Sequence, residues 1–189
     1  FGLNISMGGA HINNSGTIIG QSSFNDMAPG GNGGGSGYAK VYEYSGGSWS
    51  QLGSNIYGRN TSPTYDWFSL VSMNGAGDII AVAGQEPNVF GLNPPTYAGG
   101  PGYVRVYQYS GGSWSQLGST LEGDATHDRF SFAALNDAGD ILAVGSPRHH
   151  WSSSPTGGYV KVYEYSGGSW NQLGSTIAPS GNYTDAWGG

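Results

Sequence analysis

The chain contains no cysteine. That excludes disulfides and thiolate metal sites but leaves the compartment open. Charge is scarce, with 12 Asp plus Glu against 6 Lys plus Arg and a net charge of −6 over 189 residues. A nucleic-acid surface needs clustered cations, and none cluster here, so no nucleic-acid partner is expected. No run of about 18 apolar residues is present, so no membrane insertion is expected. No capped segment shows the 3.6-residue period of a helix. Residue 1 is Phe rather than an initiator Met, and no signal peptide is visible, so a mature or excised product is expected.

Glycine is abundant, at 36 residues, alongside 13 Tyr and 6 Trp. Without a Gly-X-Y period the glycines do not make collagen. The aromatics argue against a disordered linker. The length suffices for one domain with a core.

One stretch occurs three times. Residues 37–54 read GYAKVYEYSGGSWSQLGS, residues 102–119 GYVRVYQYSGGSWSQLGS and residues 158–175 GYVKVYEYSGGSWNQLGS. Tyr and Val suit a pleated surface, and Ser-Gly-Gly-Ser is turn chemistry, so each copy predicts a β-hairpin. A second motif precedes each hairpin. Residues 68–85 read FSLVSMNGAGDIIAVAGQ and residues 130–147 FSFAALNDAGDILAVGSP: a strand, an Asn-x-Ala-Gly-Asp turn and a second apolar strand. At the N-terminus Phe1, Leu3, Ile5 and Met7 alternate ahead of Asn14-Ser-Gly-Thr-Ile-Ile19. This predicts a first blade with a longer first turn or a different beginning.

Each unit is therefore four consecutive short strands. Trp49 and Trp114 lie 65 residues apart, and Trp114 and Trp170 lie 56 apart. Units of this size read as propeller blades. The expected fold class is all-β, with β-propeller-type four-stranded antiparallel blades at 1–57, 68–121 and 130–177. Residues 178–189 would start a fourth blade or close a ring. The predicted core comprises Ile79, Ile80, Val82, Ile141, Leu142, Val144, Val41, Val106, Val162, Leu52, Leu117 and Leu173.

The units resemble the FG-GAP-like β-propeller repeats. The matching residues are Asp128-Arg-Phe-Ser, Gly139-Asp140, Ala143-Val-Gly145, Gly158-Tyr-Val-Lys-Val-Tyr163 and Trp170-Asn-Gln172. The wording of the hairpins is similar to that of secreted and surface proteins of marine microbes, which implies an extracellular or cell-surface location. Integrin α-subunit propellers share the family, and some of their blades bind calcium. Asn136-Asp-Ala-Gly-Asp140 lacks the alternating Asp oxygens that calcium needs, so no cofactor is expected. Asp185-Ala-Trp187-Gly188 matches the start of a further blade. Three blades leave open sheet faces, so the chain ends are expected to contact another chain, as in a six-bladed ring or an open array, or a further part of the same polypeptide.

Strand alternation places the short, repeated turns at one end of each blade. The long, dissimilar 2–3 and 4–1 loops fall at the other end. Loops on a rigid scaffold commonly carry binding residues. The candidate ligand residues are Tyr65, Trp67, Tyr97, Asp124, His127, His149, His150 and Trp151, chosen as aromatics and polar groups suited to a glycan or an extracellular protein. Sequons start at Asn4, Asn13, Asn60 and Asn182, the candidate glycosylation sites. Trp49, Trp114 and Trp170 recur identically, which favours blade packing over sugar stacking. Lys40, Arg105 and Lys161 recur at one position, which favours internal pairing or a snorkelled stem. Asp66, Asp128 and Asp185 read as turn formers.

No Gly-x-Ser-x-Gly elbow or His-Glu-x-x-His motif is present. The loop acids Asp26, Glu86, Glu122 and Asp124 offer no marked catalytic pair. The expectation is a non-enzymatic extracellular binding or adhesion module. A structural subunit of an extracellular filament or surface assembly is the alternative, and a carbohydrate-active enzyme ranks last.

Overall fold

The structure is a computed structural model that describes residues 10–23, 37–59, 67–85, 100–126, 128–147 and 158–178. Among these residues all regular structure is β-strand. The first sheet holds β1 (Ala10–Ile12), β2 (Ile18–Ser23), β3 (Tyr38–Ser45) and β4 (Ser48–Gln51), with β5 (Ile56–Tyr57) also on β3. The second holds β6 (Trp67–Met73), β7 (Ile79–Gln85), β8 (Tyr103–Ser110) and β9 (Ser113–Gln116), with β10 (Leu121–Glu122) also on β8. The third holds β11 (Phe132–Leu135), β12 (Ile141–Ser146), β13 (Tyr159–Ser166) and β14 (Ser169–Gln172). Neighbours pair antiparallel throughout. These are the expected propeller-type blades. β6 touches β1 and β2 on one side and β11 on the other, so the first strands of successive blades adjoin.

The hairpin turns follow from their glycines. Gly111 and Gly112 have φ of +59° and +89°, and the turns at Gly46 and Gly167 repeat the pattern. Positive φ at both central residues is the two-residue turn whose twist matches the flanking strands. The Asn-x-Ala-Gly-Asp turns follow from asparagine. Asn136 Oδ1 accepts from the backbone N–H groups of Gly139, Asp140 and Ile141 at 3.0–3.1 Å. Asn74 Oδ1 does the same for Gly77 and Ile79, and Asn13 Oδ1 for Thr17 and Ile18. The first turn therefore starts at Asn13 and is no longer than its counterparts. Residues 1–9, expected as the first strand, lie outside the described residues.

Period-two alternation gives each blade two apolar faces. In the second blade, cross-strand partners Ala81–Val106 and Ala83–Val104 point one way, and Ile80–Tyr107 and Val82–Arg105 the other. The first of these faces packs under Phe130, Leu142, Val144, Tyr159, Tyr163 and Trp170 of the third blade. The other face, with Met73, packs on Ala39, Val41 and Ile56 of the first blade. Ile80, Val82, Leu142, Val144, Val41 and Val106 are buried as expected. Ile79, Ile141, Val162, Leu52 and Leu117 are half-buried. Leu173 corrects its assignment to the core: it is 50 % exposed, because no blade among the described residues covers that side of β14.

The blades are also tied by hydrogen bonds. Trp114 Nε1 donates to the Leu52 carbonyl at 2.8 Å, and Trp170 Nε1 to the Leu117 carbonyl at 2.9 Å. The repeated Trp is thus a packing device. Asn14 N–H donates to Gly75 O and Gly75 N–H to Asp137 O, a ladder running across the 1–2 turns.

Candidate functional site

The polar groups with unusual surroundings sit at the end opposite the Gly-Gly turns, where the third strands begin. After β9 the chain bends at Gly118 and returns as β10, whose Leu121 and Glu122 pair with Val104 and Tyr103. The connection then crosses to the next blade. Asp124 N–H donates to Tyr159 Oη at 3.2 Å, and Tyr159 Oη–H donates to Asp128 Oδ2 at 2.8 Å. Asp128 Oδ2 also accepts from Ala125 N–H at 3.0 Å, and its backbone carbonyl accepts from the Ser146 hydroxyl. Asp128 is buried, so the turn-forming role read from the sequence holds there. Asp66 and Asp185 lie outside the described residues.

Lys161 stands beside this network. Its Nζ is 2.5 Å from Asp124 Oδ1 and lies 5.3 Å from the centre of the Tyr159 ring. Its side chain is 11 % exposed against 59 % for Asp124, so the cation is sheltered while the carboxylate faces solvent. Burial, helped by the carboxylates of Asp128 and Asp124 and opposed by the Asp124 N–H, pushes Tyr159 up to about 12. The Tyr159 phenol is therefore a neutral donor across the physiological range. Tyr163 is pushed up as well, by burial and by Asp124.

The preceding junction repeats the plan with other charges. Arg59 N–H donates to Tyr103 Oη at 3.1 Å, and Arg59 Nη2 pairs with Glu122 Oε1. The Arg59 and Arg105 guanidiniums lie 4.3 Å and 5.1 Å from the Tyr103 ring centre. Arg105 Nε also donates to Thr120 Oγ1 at 3.2 Å. Lys40 is 4.7 Å from the Tyr38 ring, so all three recurrent cations share one environment over a tyrosine. That is the sheltered stem read from the repeat.

Of the sequence candidates, Asp124 is in this network. Trp67 opens β6, and its side chain is not described. Tyr65, Tyr97, His127, His149, His150 and Trp151 lie outside the described residues, as do Asp26, Glu86, Asn4, Asn60 and Asn182. Glu122 is spent on Arg59. Asn13 is buried, and its Nδ2 donates to Ser15 Oγ and Ala76 O. Glycan attachment at that atom would require the turn to open. Tyr103, Tyr159, Lys161, Asp128 and Arg59 are not among the ligand residues that the sequence suggests. Their signal was the repeat itself: Gly58-Arg59 and Gly123-Asp124 align, as do Tyr103 and Tyr159.

No family model matches the chain, and no curated protein matches its sequence. Solved structures do match its fold. A Bacteroides fragilis protein provisionally assigned as a 6-phosphogluconolactonase aligns with a TM-score of 0.52 at 10 % identity, over 90 % of this chain and 38 % of that one. One of the same provisional assignment from Bacteroides uniformis aligns with a TM-score of 0.51 at 11 % identity, over 89 % of this chain and 39 % of that one. The chain thus spans less than two-fifths of either structure. At such identities the likeness is one of propeller-type fold. It nonetheless corrects the expectation of a non-enzymatic adhesion module, because both matched structures carry an enzyme's name.

Proposed function

We propose that the chain supplies three blades of a hydrolytic β-propeller acting on a small sugar-derived lactone or ester. The blades are of FG-GAP-like sequence type, as the recurring hairpin and Asn-x-Ala-Gly-Asp turn suggest. The observation that carries the reading is the Asp124–Lys161–Tyr159–Asp128 network at the loop-bearing end, on a scaffold similar to the two lactonase-type structures. The similarity is one of fold, and the residues must supply the chemistry.

The roles follow from exposure. The solvent-facing Asp124 carboxylate takes a proton from water as its oxygen bonds to the lactone carbonyl carbon. The sheltered Lys161 ammonium faces the developing oxyanion. The ring C–O bond then breaks, and the proton held by Asp124 passes to the departing ring oxygen, leaving a hydroxy acid. Asp128 positions Tyr159, and Tyr159 holds the Asp124 backbone. The test is pH-stat hydrolysis of glucono-δ-lactone and its 6-phosphate. The expected result is a rate above buffer that falls at least tenfold in Asp124→Asn and in Lys161→Met. Equal rates with and without protein overturn the reading.

A further inference from the structure

Both junctions between blades are built from the same parts. One blade offers a flat face of small and branched residues, Ala81, Ala83, Val104 and Val106 in the second blade, all fully buried. The next blade lays an aromatic face on it, with Trp170 reaching back to the Leu117 carbonyl. The first junction repeats this with Ala39, Val41, Trp114 and the Leu52 carbonyl. A glycine makes room for the indole each time. A Cβ at Gly53 would lie 2.7 Å from Trp114 Cδ1, and one at Gly118 would lie 2.8 Å from Trp170 Cδ1.

The third blade offers the flat face again. Its residues are Ala143, Gly145, Val160 and Val162, paired across β12 and β13 as Ala81, Ala83, Val104 and Val106 are across β7 and β8. Here Val160 is 37 % exposed, where its counterpart Val104 is at 0 %. Phe132, Gly145, Val160 and Ile177 line an open groove of about 470 Å³. No atom of the described residues comes within 4 Å of a Cβ placed on Gly174, the counterpart of Gly53 and Gly118. The first blade carries the aromatic face again, as half-buried Ile19 and Tyr42 and exposed Trp49, beside the already buried Tyr38. Trp49 is 44 % exposed, where its counterpart Trp170 is at 6 %.

We infer that a second copy of this chain docks head to tail: the Trp49 face of one copy covers the Val160 face of the other, with the Trp49 indole over Gly174 and bonded to the Leu173 carbonyl. The two faces are self-complementary in the sense that each internal junction already joins them. Such a contact is heterologous, and two copies joined at both contacts make six blades, within the four to eight of closed propellers.

Sedimentation velocity on the 189-residue chain at micromolar concentration tests this. Two variants block opposite sides. Trp49→Ala removes the knob. Gly174→Asn fills the socket with a residue that tolerates positive φ. Thermal melts of both variants check that they fold. The expected result is a wild type heavier than a monomer and either variant alone shifted to the monomer. An equimolar mixture should give a one-to-one pair, since the knob of Gly174→Asn meets the socket of Trp49→Ala. A monomeric wild type overturns the inference, whether another segment covers the face or nothing does. Association that survives both substitutions, or a mixture that stays monomeric, also overturns it.

Discussion

The Trp114 indole donates a 2.8 Å hydrogen bond to the carbonyl of Leu52, 62 residues earlier in the preceding blade. Trp170 does the same to Leu117. These bonds couple the blades alongside their apolar contact and the backbone ladder across the 1–2 turns. Trp114→Phe keeps most of the ring but orphans a half-buried carbonyl. We expect a loss of about 1–2 kcal/mol in denaturant unfolding, against a negligible loss for Trp49→Phe in the Gly174→Asn background, where the ring is exposed on a single copy.

Leu142 is fully buried in the junction between the second and third blades. Leu142→Ala should cost about 2–5 kcal/mol, with transfer and cavity terms adding. In the Gly174→Asn background, which keeps copies apart, Leu173→Ala should cost well under that, since Leu173 is half-exposed on a single copy. Equal losses at the two sites in that background would show that the third blade is packed on both faces within one copy.

Each 1–2 turn hangs on one asparagine. Asn136→Ala removes an acceptor for three backbone N–H groups. We expect a loss of about 1–3 kcal/mol and faster amide exchange at Gly139 and Ile141, with amides of the Gly167–Gly168 turn unchanged.

Much of this was legible in the chain. Ser110-Gly111-Gly112-Ser113 specified its turn because only glycine takes positive φ twice in succession at low cost. Trp170 could be assigned to packing because three identical copies argue against a single ligand site. Two things were not legible. The strands β5 and β10 are two residues long, too short for a period to register. Asp124 and Lys161 are 37 positions apart and meet because one blade's exit crosses to the next blade's third strand. Alternation also tells which face a residue is on, not what covers it. Leu173 was therefore expected in the core that its counterparts Leu52 and Leu117 approach and it does not.

Stability at alkaline pH should report Tyr159. Its phenol is raised by burial from 10.0 to about 12 in the folded protein. Below pH 10 the group is protonated in both states, and its contribution is fully present. Between pH 10 and about 12 the unfolded chain releases the proton while the folded protein keeps it, so stability falls as pH rises. Tyr159→Phe should flatten part of that fall, with Tyr163 accounting for a further part. Parallel curves for the two proteins would place Tyr159 in an ordinary environment.

The claim that the loop-bearing end is the functional end can be tested residue by residue. Gluconate, the hydroxy acid released from the lactone, is titrated into isotopically labelled protein while backbone amide shifts are followed by NMR. The account predicts saturable shifts at Asp124, Ala125, Tyr159 and Lys161, lost in Lys161→Met. Shifts confined to the opposite end, at Gly111, Gly112, Gly167 and Gly168, would contradict it.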